Sequence, residues 1–174
     1  MKELKNIAAT GSYCNVFSLF VLPSFSPSRR FTVYSPVRPE KGHRPFVAFS
    51  TWRSDLDAEK LRSPIERLRY PKDLSPTIEN DTLWLTDAEP GEIEQRIRSI
   101  AIPLYLGPPS VVGCDGTRFE FQYDALFFGA TIHWWEDRPQ EWRPFTETLI
   151  QIANELEERR QKTAQLAKTA STKS

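Results

Sequence analysis

The sequence predicts an α+β fold, a single domain in which helices pack on one face of a mainly antiparallel sheet. Short aromatic and β-branched runs fill the first 52 residues, a second pair of such runs follows residue 115, and amphipathic helical patterns flank that pair. This order is typical of one sheet layer covered by one helix layer. We place the domain at residues 1–159 and interpret 160–174 as a frayed or disordered tail, because that segment has few apolar side chains to bury.

Three strands are expected first, as an antiparallel meander over residues 13–23, 29–35 and 44–52. The first run, YCNVFSLFVLP, is the most continuously apolar, which favours the middle of the sheet; it is also consistent with the apolar part of a signal sequence. The second run alternates, so Phe31 and Val33 are predicted to face the core and Thr32 and Tyr34 to face solvent.

The middle of the chain predicts two short helices with a small strand between them. Pro64 interrupts a charged, helix-prone stretch, but Ser63 and Glu66 form a capping box around it, which predicts a helix over about residues 64–69. Residues 82–86, TLWLT, have the composition of a strand.

The second of these helices lies between Pro90 and Pro103. Ile93, Ile97 and Ile100 recur at helical spacing, so they form one apolar stripe that is expected to face the sheet.

Residues 115–139 predict a β-hairpin that ends in two adjacent tryptophans. Alternation assigns one set of side chains to the core: Phe119, Phe121, Tyr123, Phe128, Ala130, Ile132 and Trp134. The other set is polar and faces away: Arg118, Glu120, Gln122, Thr131, His133 and Trp135. The chain then enters a closing helix whose apolar stripe consists of Phe145, Leu149, Ile152, Ala153 and Leu156.

Composition excludes several classes of function. The 23 basic and 23 acidic residues balance, so nucleic acid is unlikely as the main ligand, and we interpret the basic stretch over residues 29–44 as a solvated loop. The longest apolar run is too short to span a bilayer, and we therefore expect no membrane role and a cytoplasmic, bacterial-type protein. The two cysteines and two histidines have no metal-ligand spacing. We expect no metal site and no cofactor.

The sequence contains no P-loop, dinucleotide-binding, zinc-protease or serine-hydrolase motif, and two residue pairs are the remaining catalytic candidates. Cys114 and His133 are on or beside neighbouring strands, as a nucleophile and its base would need to be, but a free cysteine beside a strand is more typical of a small buried hydrophobe. Asp115 and Glu136 resemble an acid–base pair only if one is desolvated, and both are more typical of turns. We assign no catalytic residue.

The hairpin and the turn after it contain the best candidate for a functional surface. We predict a partner-binding patch that consists of Arg118, Glu120, His133, Trp135, Arg138 and Trp142, since tryptophan and arginine are favoured interface anchors. The alternative is that Trp135 and Trp142 cover each other across the turn, beside Pro139 and Pro144, and only hold the closing helix.

A resemblance enters at the same residues. Asp115-Gly116-Thr117, then Trp134-Trp135, then the segment 139–145 (PQEWRPF) resemble the C-terminal part of small uncharacterised bacterial proteins, and more loosely immunity-protein-like α+β domains that neutralise toxins. The resemblance implies a non-catalytic protein-binding domain, an immunity-type inhibitor or accessory subunit whose partner is another protein, such as a toxin or a complex subunit. The competing hypothesis is a small enzyme or ligand-binding protein with a pocket between sheet and helices.

Overall fold

The computed structural model describes residues 12–38, 42–62, 65, 75–103, 115–125 and 128–171. Within these residues, six antiparallel strands form one sheet, and three α-helices accompany it, which confirms the predicted α+β class. None of the described helices is both long and apolar enough to cross a membrane.

The strands follow the predicted meander and hairpin closely. They are β1 (Tyr13–Pro23), β2 (Ser28–Pro36), β3 (Phe46–Trp52), β4 (Ile78–Trp84), β5 (Thr117–Ala125) and β6 (Phe128–Trp135). Their order across the sheet is β4-β3-β2-β1-β5-β6, so β1 lies in the interior, as its apolar run predicted. β4 begins at Ile78 rather than residue 82, because Ile78 pairs with Trp52 and the polar residues after it can occupy an exposed edge strand.

The helices differ more from the prediction. They are α1 (Ser54–Arg62), α2 (Glu89–Arg98) and α3 (Arg143–Ser171), with a 3₁₀ turn over Gln140–Trp142. α1 precedes Pro64, and the predicted helix over 64–69 lies, apart from Ile65, outside the described residues.

The segment predicted as a frayed or disordered tail is helical as far as Ser171, where α3 ends. The side chains of residues 161–169 are all exposed, as their polarity suggested, but alanine, leucine, lysine and glutamine are good helix formers and extend a helix that packing has already nucleated.

One hydrophobic core joins the sheet to α2 and α3. It contains buried residues from all six strands and from both helices: Phe17, Leu19, Phe31, Val33, Val47, Phe49, Leu83, Leu85, Ile93, Ile97, Phe121, Trp134, Phe145, Leu149, Ile152, Ala153 and Leu156. Every residue of the predicted closing-helix stripe is among them. Trp134 is 4% exposed and stacks on Phe119 with ring centroids 5.3 Å apart, which confirms the predicted register of the hairpin.

We call the face that carries these residues the core face and the opposite face the outer face. Residues alternate between the two along each strand, except at a bulge between Asn15 and Phe17. On the outer face, Thr32 is 2% exposed, although alternation had placed it in solvent. Ser18, its partner on β1, is also buried, and the two hydroxyls share a hydrogen bond of 3.0 Å that replaces their contact with water.

Candidate functional site: the outer face of the sheet

Four of the six predicted site residues share the outer face of the β5–β6 hairpin. Arg118 pairs with Trp135, and Glu120 pairs with His133, so the four side chains form two adjacent rows. Trp135 is partly exposed there, one residue after the buried Trp134.

The Nδ1 atom of His133 is the centre of a small polar cluster. It lies 3.2 Å from Arg118 Nη2 and 3.2 Å from Glu120 Oε2. With its proton on Nε2, the ring accepts from Arg118 at Nδ1, whereas with a proton on Nδ1 it donates to Glu120. Gln122 donates to the other oxygen of Glu120. The cluster therefore presents a hydrogen-bonded polar surface beside Trp135.

Arg138 and Trp142 do not join this cluster. Arg138 donates to the carbonyl of Glu136 (3.1 Å) and forms an ion pair with Glu147 of α3 (3.2 Å). Trp142 packs against the hydrophobic core, and its Nε1 donates to the carbonyl of Pro103 at 3.0 Å. Because the core lies on the other side of the sheet from Trp135, these two residues fix the start of α3, and Trp142 does not cover Trp135.

Two further tryptophans on the outer face were missed by sequence reasoning. Trp52 is 44% exposed at the end of β3, and Trp84 is 50% exposed at the end of β4. Trp52 could have been found, because Phe46, Ala48, Ser50 and Trp52 alternate with a buried set along β3. Trp84 could have been found in the same way, because it alternates with Leu83 and Leu85, which are buried.

The indole of Trp52 is held by α1. Its Nε1 donates to Asp57 Oδ2 at 2.8 Å, and the same oxygen accepts the backbone N–H of Thr77 at 2.9 Å. Hydrogen bonds from the Thr77 hydroxyl and backbone, and then from Trp52, lower the pKa of Asp57 to about 2. The carboxylate is therefore ionised at neutral pH and fixes the orientation of an exposed ring.

Trp84 belongs to an aromatic group at the opposite end of the outer face. Its ring meets the buried ring of Phe46 edge-on at 5.5 Å, and Phe46 in turn contacts Tyr13 and Tyr34. A groove of about 270 Å³ opens beside this group, lined by Tyr13, Gly42, His43, Arg44 and Trp84. Ring contacts rather than hydrogen bonds position this tryptophan.

A buried polar network lies between the aromatic ends. Ser18 Oγ receives hydrogen bonds from Asn15 Nδ2 and Arg30 Nη2, both at 3.3 Å, and donates its own proton to Thr32. Hydrogen bonds between side chains therefore hold the centre of the outer face in one arrangement.

The residue pairs weighed for catalysis gain no support from the geometry. Glu136 Oε2 lies 3.3 Å from the backbone nitrogen of Thr117, as in a turn, and Asp115 is exposed. Cys114 lies outside the described residues. Among the side chains that the structure describes, no three histidine, cysteine or carboxylate groups are close enough together to hold a metal ion.

Comparison with known proteins finds no matching family model, no significantly similar curated protein and no significantly similar solved structure.

Proposed function

We propose that this protein is a non-catalytic binding protein that covers the surface of a partner protein with the outer face of its sheet. The observation that carries the proposal is the presence of three tryptophans, Trp52, Trp84 and Trp135, near separate corners of that face. An indole left in water gains none of the stabilisation that burial provides, and tryptophan is strongly enriched among the residues that anchor protein interfaces.

The spacing of the three rings matches a protein-sized footprint. Trp52 and Trp135 are separated by four strand spacings, or about 19 Å. Trp84 lies beside Phe46, six residues along β3 from Trp52, or about 20 Å. Anchors this far apart suit a partner surface of about 800 Å² rather than a small molecule.

The side chains between the rings also suit a protein contact. Arg30 and Arg118 are on the outer face, the polar cluster lies beside Trp135, and the outer-face positions of the six described strands contain no lysine. Interfaces are enriched in aromatic residues and arginine and depleted in lysine, so the composition supports the proposal.

Within this class, an inhibitor of the immunity type or an accessory subunit is the form we propose, since both act by covering a surface. We place its action in the cytoplasm. Cys14 is a free, exposed thiol, which suits a reducing compartment better than an oxidising one.

The test is capture of a partner from the source organism, followed by reconstitution from purified components. Trp52→Ala, Trp84→Ala and Trp135→Ala are each expected to weaken binding by about 2 kcal/mol, or about thirtyfold, without unfolding the chain. Leu166→Ala is the matched control, because Leu166 is 72% exposed on α3, away from the outer face. Equal affinity of the wild type and the triple tryptophan variant for every captured protein would exclude the outer face as the binding surface.

One observation favours the alternative of a ligand-binding protein. A cleft of about 380 Å³ lies beside the β2–β3–β4 part of the sheet, lined in part by Thr51, Glu79, Asp81, Glu157 and Arg160. Its size suits a small ligand. However, Arg160 is paired with both Asp81 and Glu157, so these charges already serve to hold α3 on the sheet. A thermal-shift screen of small charged metabolites tests the cleft: stabilisation that Glu79→Gln removes would support ligand binding.

A further inference from the structure

Arg30 occupies the centre of the outer face. It lies on β2 between Phe20 of β1 and Ser50 of β3. Its guanidinium carbon is 4.9 Å above the centroid of the Phe20 ring, and its Nη2 donates to Ser18. Stacking on a ring and a hydrogen bond to a buried hydroxyl hold the guanidinium against the sheet, so little conformational freedom remains to be lost when it binds.

The charge of Arg30 has no counterpart in the described part of the chain. No described carboxylate lies within 4.0 Å of its guanidinium, and its buried Nε has no hydrogen-bond acceptor among the described residues. Glu120, on the next strand but one, is engaged by Gln122, His133 and more distantly by Arg118. An arginine held in this way offers a planar fork of donors that matches a carboxylate.

Arg29, the residue before Arg30, has different electrostatic surroundings. It lies on the core face, paired with Val21 and Thr51. The pKa of Glu157 is lowered by its hydrogen bond with Arg160 and also by the charge of Arg29. Arg29 therefore has an acidic neighbour within the fold, whereas Arg30 has none among the described residues.

Among the described side chains of the outer face, positive charges outnumber negative ones, although the whole molecule has zero net charge. Arg30 and Arg118 accompany the carboxylate of Glu120 on the described strands, and Arg44 lines the groove beside Trp84. The carboxylate of Asp57, beside Trp52, is offset by Lys60 at 3.5 Å. A second copy of the chain would present the same excess of positive charge, which disfavours self-association through this face.

We propose that Arg30 receives an aspartate or glutamate side chain of the partner, and that the partner therefore presents an acidic surface between the apolar groups that meet the tryptophans. This inference rests on the proposed function and adds the chemistry of the partner. A single-stranded nucleic acid also carries negative charge, but successive bases stack on closely spaced open rings. Here Arg30 covers the ring of Phe20, Phe46 is buried, and the three indoles are about 20 Å or more from one another.

The test is selection from a displayed library of random 12-residue peptides, carried out with the wild type, Arg30→Gln, Arg29→Gln and the triple tryptophan variant. We expect the wild type and Arg29→Gln to select peptides enriched in aspartate or glutamate beside apolar residues. Arg30→Gln should lose the acidic enrichment, and the affinity of a wild-type-selected peptide should fall at least tenfold and become less dependent on salt. Arg30→Lys keeps the charge without the planar fork, so its affinity for the peptide should lie between those of the wild type and Arg30→Gln.

The outcomes separate the two proposals. Peptides that require the tryptophans but are indifferent to Arg30→Gln and Arg30→Lys would overturn the role of Arg30 and leave the binding face intact. Selection that does not depend on the tryptophans would overturn both. Binding of a 12-nucleotide single-stranded RNA that Arg30→Gln abolishes, while Arg29→Gln does not, would replace the acidic protein with nucleic acid as the ligand. Thermal unfolding of each variant confirms that it is folded.

Discussion

The two faces of the sheet are built by the same six strands but differ in what surrounds their aromatic side chains. On the core face, Phe121 and Trp134 pack against Phe145 of α3 and are nearly inaccessible. On the outer face, Trp52 and Trp84 are about half exposed, although each is oriented by its neighbours. The rings on the core face stabilise the fold by being buried. Exposed rings that are held in one orientation are more typical of a binding surface. The comparison therefore separates the face that stabilises the fold from the face on which we propose that a partner binds.

The largest expected difference is between the adjacent residues Trp134 and Trp135. Trp134→Ala should lower the free energy of unfolding by ~3–5 kcal/mol, because it removes a ring from the core. Trp135→Ala should cost about 1 kcal/mol or less, as for a partly exposed residue. Equilibrium urea denaturation measures both, and Trp134→Phe is the control that retains an aromatic ring. Equal losses at the two positions would show that the faces are not energetically distinct.

The next effect concerns the buried polar centre of the outer face. Ser18→Ala removes the partner of Thr32, Asn15 and Arg30 and should cost ~1–3 kcal/mol. Adding Thr32→Val should cost less than the sum of the single changes, since the two hydroxyls are partners. Ser50→Ala, on the same face but bonded to the exposed Asn80, is the control. Additive losses in the double-mutant cycle would mean that the pair is not coupled.

A smaller effect sharpens the role of Asp57 in holding Trp52. The folded pKa of about 2 is below the unfolded value of about 3.9, so the carboxylate stabilises the fold above about pH 4 and loses this contribution as the pH falls toward 2. The difference in unfolding free energy between the wild type and Asp57→Asn should therefore shrink over that interval. Asp87→Asn, an exposed residue before α2, is the control. A difference that stays constant from pH 6 to pH 2.5 contradicts the assignment.

The smallest change in unfolding free energy is expected from the end of α3, which belongs to neither face of the sheet. Deletion of residues 162–174 should change the unfolding free energy by no more than ~0.5 kcal/mol, because the described side chains there are exposed. Arg160→Ala should cost more, since Arg160 pairs with Asp81 at 2.7 Å and lies over the ring of Phe49. A large loss from the deletion alone would show that the segment docks on the rest of the protein.

Local periodicity was enough to predict most of the fold. Alternation in the hairpin correctly separated Trp134 from Trp135, and helical spacing correctly identified the stripe of α3 that faces the sheet. The prediction differed from the structure at two segments whose amino-acid composition is unusual for their place in the fold. β4 is polar because it is an edge strand, and the end of α3 is helical although it has no core to bury against.

The sequence by itself determined which side chains share a face within each strand, because the side-chain period of a strand is two whatever its neighbours are. Only the tertiary structure decided how the predicted meander and the predicted hairpin join into one sheet. β1 pairs with β5 across about 100 residues of chain, and this pairing places Trp135 on the same surface as Trp52 and Trp84. Pairing between distant strands depends on how the whole sheet packs against α2 and α3, which no local pattern encodes. For that reason His133 and Trp135 were predicted as parts of a site, while the surface that contains them was not.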